Sequence, residues 1–126
     1  MILPTDSAKR KEYPIYTGFM AYFPRAIAEV AHQSYKGNEK HNHGEPLHWA
    51  KEKSNDHMDC IARHMLDQMD GQLDPIAEKV ATAWRAMAEL EIALERVDGN
   101  EHHHKNMAMA QVFTKERATP LTNKAQ

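Results

Sequence analysis

A chain of 126 residues with 16 basic and 18 acidic side chains makes one domain, 1–126, with no polybasic field, so neither a nucleic-acid partner nor a membrane partner is expected. Its single cysteine, Cys60, excludes an internal disulfide and suits a reducing compartment. MILPTDSAKRKEY lacks an apolar signal core and no apolar run reaches the roughly 18 to 20 residues that span a bilayer, so the expected location is cytoplasmic.

Eight methionines and many alanines favour helix, and no alternating β-branched run marks a strand, so the predicted class is all-α. Residues 1–21, with Pro4 and Pro14, are predicted to form an extended N-terminal arm whose Tyr13, Tyr16 and Phe19 pack on the body. Pro24 suits the first position of a helix, where its missing N–H costs nothing. Ile27, Val30, Ala31, Ser34 and Tyr35 then share one face, and Gly37 is expected to stop this helix, predicted over 24–36. Its other face carries Arg25, Glu29, His32, Gln33 and Lys36.

Residues 38–53 are polar, His-rich and broken by Gly44 and Pro46, which predicts a loop with one short turn over 47–51. Ser54 is the expected N-cap of a second helix running to about residue 69 before Gly71. Met58, Ile61, Ala62, Met65 and Met69 form its apolar stripe, opposite Asp56, Asp59, Cys60, Arg63 and Asp67. Asp74 and Pro75 begin a third helix that ends at Asp98-Gly99, with Ile76, Val80, Trp84, Met87 and Leu94 on a continuous apolar face. A fourth helix is expected over 100–118 and a frayed tail over 119–126. The run His102-His103-His104 is expected to be an adventitious surface tract.

Two spacings carry chemistry. Glu29 and His32 are three apart on the first helix, and Asp56 and Asp59 are three apart on the second, so each pair shares a helix face. Packed antiparallel, the two helices would bring four metal-capable groups together. Hard divalent ions prefer such oxygen ligands and fill the rest of their shell with water and phosphate. Two ions of this kind can bridge a triphosphate and assist an in-line displacement. An ordinary solvated helix face has the same look, so spacing alone leaves both readings open.

The segments YFPRAIAEVA, GNEKHNHGEPLHWAKEKSNDHMDCIARHML and KVATAWRAMAELE carry a resemblance that runs from Tyr13 to about Glu95, roughly two thirds of the chain. They resemble the N-terminal domain family of dATP/dGTP diphosphohydrolases, found largely in phages and related to the MazG/HisE group of all-α NTP pyrophosphohydrolases. The resemblance implies an oligomeric MazG/HisE-like helical bundle, dimer or tetramer, in the host cytoplasm if phage-encoded. It also implies a site lined partly by a neighbouring subunit, and cleavage of a purine (deoxy)nucleoside triphosphate, dGTP or GTP foremost, between the α- and β-phosphates. The group's metal motif, E-x-x-E followed by E-x-x-D on the next helix, falls on Glu29-x-x-His32 and Asp56-x-x-Asp59. His32 and Asp56 depart from it, and imidazole tilts preference from Mg²⁺ toward Mn²⁺, with two or three ions per site expected. Gln33 and Glu39 are reserve ligands.

Lys36, Lys40, Lys51, Lys53, Arg63 and Lys79 are candidate phosphate clamps. Arg63 is equally an i, i+4 partner for Asp59. Asn38 could offer its amide to a purine edge, and Trp49 is either a stacking platform or a packing anchor. The rival to an enzyme is a catalytically idle helical module that binds nucleotide or dimerises. A histidine–aspartate phosphohydrolase is a weaker third reading, since the chain has Asp56-His57 and no HD pair.

Overall fold

The computed structural model describes residues 2–71 and 73–99, and every regular element among them is helical. The elements are α1 (Ser7–Arg10), a π-helical turn (Tyr16–Met20), α2 (Pro24–His41), a 3₁₀ turn (Lys51–Lys53), α3 (His57–Asp70) and α4 (Pro75–Asp98). Among the described residues no helix is long and apolar enough to cross a membrane. The helix expected over 100–118, the tail over 119–126 and the triple histidine lie outside the described residues.

Local chemistry explains most boundaries. Pro24 and Pro75 open α2 and α4, and the Asp74 side chain accepts from the Ile76 N–H at 2.9 Å. α3 closes at Gly71 and α4 at Gly99, both left-handed (φ 70° and 56°), a conformation that costs a Cβ-bearing residue about 1 kcal/mol or more.

Four local expectations are corrected. The 1–21 arm is not simply extended: the Asp6 side chain caps α1 by accepting from the Lys9 N–H at 2.9 Å, and a π-helical turn follows. Its Tyr13, Tyr16 and Phe19 stay exposed. α2 does not stop at Gly37 but continues to His41. A glycine inside a helix costs only about 1 kcal/mol relative to alanine, and neighbouring contacts outweigh it. Here Asn38 is 7% exposed; its Nδ2 donates to the Glu45 carbonyl at 2.9 Å and its Oδ1 accepts from the His48 N–H at 3.3 Å. The short loop turn falls at Lys51–Lys53 rather than over 47–51, and α3 is capped at Asp56 rather than Ser54.

α3 and α4 form an antiparallel hairpin, as the pairs His64–Glu78 (2.6 Å) and His57–Arg85 (3.1 Å) require. α4 also packs on α2, through Trp84 Nε1 donating to Ser34 Oγ at 2.8 Å. α2 and α3, expected to face each other, share no comparable packing.

The seam of the hairpin is polar. His57, Ile61, His64 and Gln68, at helical spacing, turn inward on α3, whereas Met58, Met65 and Met69 of the predicted apolar stripe are exposed. On α4, Glu78, Thr82 and Arg85 meet α3 through hydrogen bonds, while Ile76, Met87 and Leu94 face out. Ala88 is the one buried apolar side chain among the described residues.

Candidate metal and nucleotide site

The best-organised part of the site is the start of α3. Asp56 occupies the N-cap position without using its side chain to cap; its Oδ1 instead accepts from Ser54 Oγ at 3.3 Å, and Arg63 Nη1 lies 3.6 Å from Oδ2. Partial burial pushes the Asp56 carboxyl up, but the Ser54 hydrogen bond, the Arg63 charge and smaller bonds from its own backbone and Cys60 together hold it below its ordinary value. Arg63 therefore serves Asp56, with a weak contact to Cys60 Sγ at 3.7 Å, rather than its i, i+4 neighbour Asp59.

Behind this turn sits Arg85 of α4. Its Nη1 donates to Ser54 Oγ at 3.2 Å and meets His57 Nδ1 at 3.1 Å, while the guanidinium lies 5.6 Å from the Trp84 ring. A guanidinium only donates, so Nδ1 must accept and the ring proton belongs on Nε2. His57 is 2% exposed, and that Nε2 is the buried side-chain atom among the described residues that lacks a partner. Arg85 thus pins two consecutive features of the α3 start, through Ser54 and through His57.

An aromatic hub fixes the preceding loop. Trp49 meets Trp84 edge-on at 5.6 Å, which makes Trp49 a packing anchor in this chain. Lys51 lies 4.8 Å over the Trp49 ring and pairs with Glu95, both side chains largely buried. A cleft of about 700 Å³ opens beside them, lined by Lys51, Ser54, His57, Glu89, Ile92 and Arg96.

The remaining candidates divide into free and engaged. Glu29 and Asp59 are exposed and make no hydrogen bond or ion pair among the described residues. His32 is exposed and stacked on Tyr35, ring centroids 5.8 Å apart. Gln33 is half-buried, and Glu39 is bonded to His43 Nδ1 at 2.7 Å. Lys36, Lys40 and Lys53 are exposed and unengaged, whereas Lys79 donates to Gln68 at 2.9 Å and Asn38 holds the loop.

Glu29, His32, Asp56 and Asp59 do not gather into one cluster within the chain. The described residues whose donor atoms do approach one another, within 4.8 Å, are His64, Asp67 and Glu78 in the α3–α4 seam. Sequence reasoning missed Arg85, the buried His57 and the His64–Glu78 pair. The signal for Arg85 was present: it is the lone charge in the run ATAWRAMA. Comparison with models of known protein families, with curated proteins and with solved structures found no match to this chain.

Proposed function

We propose that the chain is a metal-dependent nucleoside triphosphate pyrophosphohydrolase of the MazG/HisE kind. It acts on a purine (deoxy)nucleoside triphosphate, dGTP or GTP foremost, and releases monophosphate and pyrophosphate. The observation that carries this reading is an i, i+3 donor pair on α2 and another at the start of α3, with the Glu29 and Asp59 carboxylates free of hydrogen bonds and ion pairs among the described residues. Three carboxylates and one imidazole form an oxygen-rich donor set that suits Mg²⁺ or Mn²⁺. Such ions, when bound, supply the Lewis acidity that activates water and neutralises phosphoryl charge.

The protein's own residues take distinct parts. Glu29, Asp56 and Asp59, with His32, are the metal-holding groups. Ser54 and Arg63 hold the Asp56 carboxyl below its ordinary value, and Arg85 donates to Ser54 from behind. Lys36, Lys40 and Lys53 are free to reach phosphate oxygens. In a homo-oligomer, dimer or tetramer, the α2 face of one copy would complete the α3 face of another.

A second reading, a catalytically idle nucleotide-binding or dimerisation module, is favoured by the scattering of the four donors within one chain. Incubation with each dNTP and NTP in Mg²⁺ or Mn²⁺, with product separation, decides between them. Monophosphate with pyrophosphate is the expected result. Released inorganic triphosphate would point to another reaction, and nucleotide binding without turnover to the idle module.

A further inference from the structure

α4 carries a second pattern on its outward side. Ile76, Val80, Ala83, Met87, Leu90, Leu94 and Val97 follow one another at spacings of four and three, alternating without a break. This is the a/d seam of a heptad repeat, held over three heptads. All but the half-buried Val80 are exposed; Met87, Leu90 and Leu94 are each slightly over half exposed and Val97 is 84% exposed. The opposite side of α4 already meets α3 through Glu78, Thr82 and Arg85 and meets α2 through Trp84.

We infer that this seam is an interface on which α4 of a second copy of the same chain packs, knobs into holes. A heptad seam is complementary to another seam of the same kind, so two copies related by a two-fold axis satisfy each other. The five large side chains, Ile76, Met87, Leu90, Leu94 and Val97, together expose on the order of 600 Å² per copy. That is the upper end for the largest apolar patch on a monomer, and most of the roughly 800 Å² per partner that a stable dimer buries. Ala86 and Ala93 beside the seam are small and exposed, so the two helices can approach closely. A copy seated here lies on the side of α4 away from α3, so this inference is separate from the completion of the α3 face; it rests on spacing and exposure and needs no turnover.

Sedimentation equilibrium of the full chain at micromolar concentration tests it. The wild type is expected to form a dimer or an even-numbered assembly, and Leu90→Glu and Met87→Lys are each expected to weaken it at least tenfold while far-UV circular dichroism is unchanged. Should either variant lose helix, cysteines introduced one at a time in a Cys60→Ser background (Met87→Cys, Leu90→Cys, Leu94→Cys) should give a disulfide-linked pair of copies on mild oxidation from at least one position. A monomeric wild type would overturn the seam, as would an assembly indifferent to both substitutions. A monomer that associates only after removal of residues 100–126 would do the same, assigning the seam to that segment. Hydrolysis assayed alongside separates the two ideas: turnover by a monomer removes the seam and keeps the activity, while an assembled chain without turnover does the reverse.

Discussion

The two halves of the candidate site are built differently. The α3 half is clasped: Asp56 is bonded by Ser54, flanked by Arg63 and backed by Arg85, which also fixes the His57 ring. The α2 half is open: Glu29 has no partner among the described residues and His32 has only a ring stack on Tyr35. A ligand whose orientation is set by neighbouring bonds loses less freedom when it binds a metal. Asp56 should therefore contribute most to metal affinity for its charge, whereas Asp59, exposed and unpartnered like Glu29, gains nothing from the clasp.

The largest expected effect comes from removing the charge of a proposed ligand outside the clasp. Asp59→Asn should lower kcat on the order of 10³-fold, because an amide cannot replace a charged ligand, with Tm changed by no more than about 2 °C since Asp59 is exposed. His32→Gln should cost about tenfold or less. Steady-state kinetics with Mn²⁺ read both, and equal losses would show that the His32 ring matters as much as a charged ligand. Survival of turnover in Asp59→Asn would sink the metal assignment itself.

Next in size is Arg85→Met. It touches no proposed ligand, yet it should weaken Mn²⁺ binding about tenfold, in the range seen when groups behind metal ligands are removed. Isothermal titration gives the affinity, and exchange of the backbone amides at the start of α3 shows whether the turn has loosened. Arg85→Lys can serve only one of the two acceptors well, so it should recover part of the loss. An unchanged affinity in Arg85→Met would mean that Ser54 and Asp56 hold their positions unaided.

These residues also show what the sequence could and could not reveal. The starts of α2 and α4 and the stops at Gly71 and Gly99 were legible, because Pro, Asp and Gly act through their own backbone preferences. The extension of α2 was not, because it depends on the Asn38 amide reaching Glu45 and His48, contacts set by the loop. Periodicity found the apolar stripes of α3 and α4, but in the structure only Ile61, Val80 and Trp84 of them are half-buried. Apolar spacing marks a face of a helix, not what that face meets. His57, His64 and Gln68 turn inward because α4 offers Arg85, Glu78 and Thr82 to satisfy them. The i, i+3 donor pairs were visible at once, whereas the clasp behind Asp56 joins residues 31 positions apart in the chain.

Two glycines extend the contrast between α2 and α3 to stability. Gly37 lies within α2 with open space where a Cβ would point, so Gly37→Ala should stabilise the protein by about 0.5–1 kcal/mol. Gly71 ends α3 at φ +70°, and Gly71→Ala should destabilise by about 1 kcal/mol although its surroundings are equally open. Thermal unfolding of both should give opposite shifts. Destabilisation by Gly37→Ala would show that α2 does not run unbroken through Gly37 in solution, and stabilisation by Gly71→Ala that α3 does not end in a left-handed turn.

The smallest effect probes the clasp electrostatically. Because the folded Asp56 carboxyl sits below its ordinary value of 3.8, its ionisation favours the fold fully above that value, and the contribution is lost as pH falls through the lower folded value. Ser54→Ala removes the main bond to the charged form, so the Asp56 midpoint should rise toward 3.8; Arg63→Gln should raise it less. Carboxyl ¹³C titration by NMR resolves the two. Added salt should erase much of the Arg63 contribution, since both groups are solvent-accessible, and leave the short-range Ser54 bond largely intact. A larger response to Arg63→Gln, or a midpoint fully restored by salt alone, would make the α3 half a loose ion pair rather than a clasp, and its difference from the α2 half would disappear.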